Sequence, residues 1–302
     1  MNTRKFAISI IGIGMVGTPL KRYFEEIRSY QRGKNLFLFD INPAKGFQDD
    51  VRPADIIFIC VPTPRAPDGS ADLSAVKSAI ARIPGKKIVV IKSTVPPGTT
   101  EYFQKQYPRH RFLFNPEFLT EARAWEQTIE PDRQLVGWTK RSRLAAPLVL
   151  ATLPRAHVSA PSKQLTLTAT EAEIIKYAAN VFLARKVVFA NAIYDLAAHH
   201  GADYENIRAG VASDSRIGPS HLAILHNGYR GYGGFCFTKD TDAFVKHCEE
   251  VGLSHVAEFI ATDRLFNERL LHAQGLTPED VSVHDEEWVE KKVKGKTKNA
   301  KR

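Results

Sequence analysis

The chain has 302 residues, 43% hydrophobic and 25% charged, the make-up of an ordinary globular protein long enough to bury a core without staples. Its 17 Phe, 9 Tyr and 3 Trp exclude disorder for the bulk, and only 19 Gly and 17 Pro exclude collagen-like and low-complexity classes. The net charge is +9, but residues 291–302 (KKVKGKTKNAKR) supply seven positive charges and no negative ones, leaving +2 for the first 290. The basic character therefore belongs to a tail, read as a solvated end, and neither nucleic acid nor membrane is expected as a partner. Cys60, Cys236 and Cys248 are too few and too scattered for a disulfide framework or a metal site, and no metal is expected. The uncharged run Phe6–Leu20 lacks a cleavage site and is followed by KRYFEEIR, and no stretch reaches membrane-spanning length. A cytoplasmic location is the expectation.

Short apolar runs at 6–12, 36–40, 55–61, 86–92, 111–115 and 134–138 predict buried strands of a parallel sheet covered on both faces. Helical patterns lie between most of them, which gives βαβ units and a doubly wound sheet. The fourteen residues between Asp40 and Asp55 hold two prolines and a glycine, so that crossover is expected to be irregular or a single turn. From Thr168 to Gly201 the pattern predicts one helix of about thirty residues, with Thr170 and Glu173 as capping box and Gly201 as stop. Such a helix suits a spacer between domains or a dimer core. Further helices are predicted around 203–212, 239–252 and 254–273, and a polar, disordered tail from 275. The expected domains are 1–160, 161–274 and the tail 275–302.

Gly12-Ile13-Gly14-Met15-Val16-Gly17 stands where the first strand gives way to a helix. Gly12 permits the tight turn, Gly14 lets backbone approach a pyrophosphate, and Gly17 allows close helix–strand packing. The helix start offers free N–H groups to the phosphates. An acidic residue at the end of the second strand, Asp40, would accept the ribose hydroxyls of NAD and repel the extra phosphate of NADP. The fold class is thus α/β, a Rossmann-like doubly wound parallel sheet followed by a long-helix α-helical domain, and the expected cofactor is NAD.

Polar segments end the next three strands: Val61-Pro62-Thr63-Pro64 with DGSADL (68–73), Ser93-Thr94-Val95-Pro96-Pro97-Gly98-Thr99, and Asn115-Pro116-Glu117-Phe118-Leu119-Thr120-Glu121. Ligands of open α/β sheets bind outside the carboxyl ends of the strands, so these segments face the nicotinamide end. Together with PDR (131–133), EIIKYAANVFLARK, SRIG (215–218), GYGGFCFTKD (231–240) and FNERL (266–270), they make the chain resemble the UDP-glucose/GDP-mannose dehydrogenases. These are NAD-dependent enzymes that oxidise a nucleotide-sugar alcohol to the carboxylate by two hydride transfers.

The resemblance implies roles residue by residue. Cys236 is the matching nucleophile that forms a thiohemiacetal and then a thioester. Lys176 and Asn180, four apart on one face of the long helix, would stabilise the oxyanions. Asp240 matches a proton-handling carboxylate, Thr94 would orient water or substrate, and Glu117 and Glu121 would serve thioester hydrolysis and nicotinamide contacts. Met15, Val16, Val61, Pro62, Thr63, Ser93, Thr94, Glu121 and Lys239 would join Gly12, Gly14, Gly17 and Asp40 in holding NAD. Phe118, Leu119, Tyr232 and Gly233 would join Lys176 and Asn180 against a nucleotide-sugar substrate, and Arg216 would reach a neighbour's substrate across a homodimer formed by the long helix.

Two departures stand out. The family commonly has Ser before the cysteine and Pro two after it, where this chain has Phe235 and Thr238. Family members also continue past FNERL into a further nucleotide-clamping domain, which the segment here does not supply, so the substrate would be held weakly, by a dimer neighbour or by a separate chain, or would be something smaller. The alternatives left open are a single-hydride hydroxyacid-type dehydrogenase, which would release one NADH and need no cysteine, and a non-catalytic NAD- or sugar-nucleotide-binding relic. A role for the basic tail in nucleic-acid binding would show as strongly salt-dependent affinity.

Overall fold

Runs of Ile, Val, Leu and Phe become strands that alternate their side chains between two covered faces. The computed structural model describes residues 5–156, 164–284 and 287–288. The strands are β1 (Ile8–Ile11), β2 (Leu36–Phe39), β3 (Ile56–Ile59), β4 (Ile88–Ile91), β5 (Arg111–Phe114), β6 (Gln134–Trp138) and β7 (Gln164–Thr168), joined in the order β2-β1-β3-β4-β5-β6-β7. Ile10, Leu38, Phe58, Val90 and Leu113 face one core, and Ile11, Phe37, Ile57, Val89 and Phe112 face the other. Burial on both faces explains the continuous apolar runs. The intervening helices are α1 (Gly17–Arg22), α2 (Ser74–Ala81), α3 (Thr99–Gln106), α4 (Ala124–Ile129) and α5 (Ala146–Thr152). Between β2 and β3 stands only a 3-10 turn, Pro43–Lys45, in irregular chain, as the prolines there predict.

The sheet departs from the sequence reading in two places. β6 runs antiparallel to β5. After β5 the chain passes through the 3-10 turn Glu121–Arg123 and α4 and re-enters the sheet from the end it has reached. β7 was not foreseen, because QLTLT holds two apolar residues and lies at a half-exposed sheet edge. Gly137 of β6 leaves room for the next helix: a Cβ there would meet Ala169 Cα and Ala172 Cβ, both at 2.8 Å.

That helix, α6 (Ala169–His199), has 31 residues. Its capping box is Thr168 with Glu171, two residues before the expected pair: Thr168 N–H donates to Glu171 Oε2 (2.7 Å) and Glu171 N–H to Thr168 Oγ1 (3.3 Å). The chain divides within α6 into two compact units, one of Met1–Pro64 and Ala71–Lys176, the other of Arg65–Ser70 and Tyr177–Arg302.

The second unit continues with α7 (Tyr204–Ala212), a small hairpin of β8 (Leu225–His226) and β9 (Tyr229–Arg230), α8 (Gly234–Glu250), α9 (Ser254–His272) and α10 (Pro278–Val281). Val181, Val245, Cys248, Ala257 and Ile260 pack as one of its cores. α8 begins five residues before the expected start, because Gly234, at φ +74°, turns the chain straight into the helix. Residues 276–284 are folded where the sequence suggests a disordered tail. Thr277 and Asp280 form a capping box, and Val281 is buried with Tyr229 and Leu271. Trp288 packs edge-on against Tyr229 at 5.1 Å. Residues 289–302, with the basic run, lie outside the described residues. Among the described residues no helix is long and apolar enough to cross a membrane.

Candidate active site

The glycine turn after β1 is built by contacts that no side chain could share. Gly12 has φ +93°, and a Cβ on it would stand 2.6 Å from Cys60 O. A Cβ on Gly17 would stand 1.9 Å from Gly12 O. At Gly14 an added Cβ meets nothing within 4 Å. The fold thus requires glycine at 12 and 17 but leaves the space at 14 open, which fits a phosphate approaching the backbone. Met15 and Val16 follow, half-buried, at the entry to α1.

Asp40 ends β2 with both oxygens engaged. Oδ2 accepts from Ile13 N–H (2.8 Å) and Lys45 Nζ (2.9 Å), and Oδ1 accepts from Asn42 N–H (2.9 Å). Burial pushes its carboxyl up, but the Asn42 N–H, Lys45 and the Ile13 N–H outweigh that and hold it below the usual carboxylate range. A fixed anion beside a glycine turn fits the ribose and pyrophosphate of NAD. Lys45, which also donates to Ile13 O at 2.9 Å, escaped the sequence reading. A basic residue five places after the acidic one was the available signal.

The ends of β3 and β4 are tied to each other. Thr63 Oγ1 donates to Thr94 O (2.8 Å) and Ser93 Oγ to Val61 O (2.6 Å), while Pro62 between them is exposed. After β5, the Asn115 amide donates to Gln134 Oε1 (2.8 Å) and Leu135 O (2.6 Å), anchoring the turn that carries Glu117. Lys176 Nζ donates to Glu117 Oε1 (2.9 Å) and Glu117 O (2.8 Å), and Leu119 N–H to Glu117 Oε2 (2.7 Å). The two side chains are 4% and 8% exposed. Burial raises the Glu117 carboxyl, yet Lys176, the Leu119 N–H and Lys92 together bring it below its ordinary value.

Glu117 and Glu121, four apart in sequence, do not share a helix. Glu117 lies in irregular chain, its carboxylate holding Leu119 N–H, and Glu121 begins a separate 3-10 turn, Glu121–Arg123. Lys176 does not pair with Glu173, three residues before it on the same helix. Glu173 is fully buried and accepts from Gly98 N–H (2.6 Å), Thr100 N–H (2.8 Å) and Thr100 Oγ1 (2.6 Å) at the start of α3. Burial pushes its carboxyl up to about 7 against those three donors. Phe118 has Arg133 stacked at 3.7 Å and Lys176 Nζ at 5.5 Å from the ring centre. Arg133 belongs to the PDR segment, to which the sequence reading gave no role.

In the second unit, Asp240 is fully buried, with Asn180 Nδ2 donating to Oδ2 and Lys239 Nζ to Oδ1, both at 2.5 Å. Cys236 is half-buried in the first turn of α8, not in a loop, and Asp240 follows one helical turn later on the same face. Cys60 and Cys248 are buried. Gly233 passes so close to the Tyr229 hydroxyl that a Cβ would stand 2.1 Å from it. Tyr232 exchanges bonds with Asn267, N–H to Oδ1 (2.7 Å) and Nδ2 to O (2.9 Å), and burial pushes its phenol up. Phe235 stacks on His284 at 4.9 Å, with Lys239 5.8 Å above its ring. Arg216 is not gathered with these groups: its side chain is 87% exposed and paired with Asp214.

Residues 41–150 match the NAD binding domain of the UDP-glucose/GDP-mannose dehydrogenase family, and residues 170–269 match the central domain of that family. A UDP-glucose 6-dehydrogenase of Bacillus subtilis is 38% identical over 213 residues, 67% of this chain and 44% of that protein. UDP-glucose 6-dehydrogenase 2 of Arabidopsis thaliana is 37% identical over 76% of this chain and 49% of its own. The chain therefore spans about half the length of these curated relatives. The structure of a UDP-glucose dehydrogenase from Pyrobaculum islandicum superposes with a TM-score of 0.74 at 30% identity, over 89% of this chain and 69% of that one.

Proposed function

The chain belongs to the UDP-glucose/GDP-mannose dehydrogenase family, and we propose that it oxidises the primary alcohol of a nucleotide sugar to the carboxylate in two NAD-dependent steps. Gly12, Gly14, Gly17 and Asp40 would hold NAD, which when bound accepts the hydrides; the remaining chemistry falls to the chain's own side chains. In the first step the alcohol loses a hydride and a proton and becomes the aldehyde. The Cys236 sulfur adds to the carbonyl carbon, and the oxygen takes a proton to give a thiohemiacetal. Loss of the second hydride and of that proton leaves a thioester, and water then adds and expels the thiol. Two NAD are reduced for each acid formed.

Oxyanions arise in the addition and hydrolysis steps. An ammonium and a carboxamide one helical turn apart, Lys176 and Asn180, suit their stabilisation. Asp240 would manage protons for Cys236, and Glu117 would assist hydrolysis. Thr94, Phe118, Tyr232 and Lys239 complete the set of contacts the reading assigns to substrate and cofactor. One observation supports it most: Cys236 and Asp240 share a face of α8, and Asp240 is bonded to Asn180 of α6. A homodimer through α6 forms part of the proposal, because Phe182, Phe189 and Leu196 recur every seven residues and are 63%, 56% and 55% exposed. A cytoplasmic location is likewise proposed, consistent with three unbridged cysteines.

The test is turnover with NAD and a panel of UDP- and GDP-sugars, counting NADH per product. Two NADH per acid, with Cys236→Ala stopping at or before the acid, is the expected result. Undiminished acid from the variant removes Cys236 from the reaction, and one NADH per product points to single-hydride chemistry instead.

A further inference from the structure

The register of the sheet sets three side chains in one row. Ile59, Ile91 and Phe114 pair across β3, β4 and β5, so the residues that follow them, Cys60, Lys92 and Asn115, point to a common face. Lys92 is 7% exposed, and its ammonium donates to Asn115 Oδ1 at 2.6 Å and Asn115 O at 3.4 Å. Both acceptors are neutral. An ammonium withdrawn from water is costly to keep with such partners alone, and burial lowers its proton affinity.

The charges around it determine what it does. Cys60, from β3, is pushed up to about 12 by burial and stays an uncharged thiol near neutral pH. Lys176, from α6, adds a like charge and works against Lys92. Glu117, two residues beyond Asn115, is the anion that favours it, and Lys92 in return helps to hold the Glu117 carboxyl low. Glu117 thus has one cation bonded to it and a second set behind it in the sheet.

We propose that Lys92 is a positioning residue for the Glu117–Lys176 pair: tethered to Asn115, it fixes the turn that carries Glu117 and sets a second positive charge toward that carboxylate. This deepens the reading of Glu117 and Lys176 as reaction-site residues, and rests on it. With Lys92 in place, Lys176 can leave Glu117 for a substrate oxygen without Glu117 first taking up a proton.

The ionisation of Glu117 is read by NMR from its carboxyl carbon, assigned by loss of the signal in Glu117→Gln. In Lys92→Met it moves up by about one pH unit. Lys92→Gln, which keeps a donor toward Asn115, moves it equally, separating charge from tether. Reciprocity requires that Glu117→Gln lower the ionisation of Lys92 by the same amount. That measurement needs no change at Lys92 and decides alone if neither Lys92 variant folds. An unmoved Glu117 in the Lys92 variants, or an unmoved Lys92 in Glu117→Gln, overturns the proposal. Turnover is scored separately, with the acid limb of the kcat profile rising and KM for NAD unchanged in Lys92→Gln. Coupling without any nucleotide-sugar turnover would refute the proposed function and leave only the Lys92–Glu117 coupling standing; turnover without coupling would overturn this inference and leave the proposed function.

Discussion

In the turn after β5, Glu117 is shut away from water but faces the ammonium of Lys176, while at the junction of α3 with α6 Glu173 is equally enclosed and meets only N–H and O–H groups. Their carboxyls move in opposite directions, Glu117 below its ordinary value and Glu173 up to about 7. Burial alone therefore does not decide ionisation. A full positive charge outweighs desolvation, and three neutral donors do not. The consequences for stability are opposite too. Glu117 contributes stability above its unfolded value that is lost as pH falls through its lower folded value. Glu173 binds its proton more tightly when folded, so its contribution declines as pH rises from its unfolded value to about 7 and stays low above that.

The contrast is broken most severely by removing the cation. Lys176→Met leaves Glu117 buried and unpaired, and is expected to cost about 3–5 kcal/mol in urea unfolding at neutral pH, less once acid protonates Glu117. A cost that does not shrink in acid would show that Glu117 does not depend on this pair. Glu173→Gln comes next. The wild type should lose about 2 kcal/mol between pH 5 and pH 7.5 through this group, and the variant should flatten that slope. An identical slope in both proteins would place the titration elsewhere. The smallest effect belongs to Asp40, whose partner Lys45 is 39% exposed. Lys45→Met should cost about 0.5 kcal/mol, and about 0.5 M salt should erase the difference, which sharpens the rule that solvent access rather than pairing sets the scale.

Much of this was legible in the sequence because sheets impose their own order. Once FAISIIG, LFLFD, DIIFICV and KKIVVIK pair in parallel, the residues that end them must line one edge, and Gly12, Asp40, Thr63 and Ser93 were found there without knowing any contact. The long helix announced itself by thirty residues without a breaker. What escaped lies where the deciding partner is remote. Lys176 meets Glu117 across 59 residues, and nothing local to either names the other. Glu173, read as a cap, turned out to bind the start of α3, 73 residues away by Thr100. Cys236 fell outside the helix predicted over 239–252 because GYGG looks like loop, yet Gly233 and Gly234 are there for the nearness of Tyr229 and Val281 and for a left-handed turn into α8. Strand β7 was missed because an edge strand needs only half an apolar pattern.

The seating of Val281 has a practical corollary. It is 1% exposed, it closes over Gly233, and it shares a cluster with Tyr229, Leu271 and Trp288. A shortened version of the chain made for crystallisation or fusion should end beyond Trp288. Cutting at Gly275, where composition invites it, would strip the lining from behind the thiol-bearing helix and leave a greasy, sticky scar.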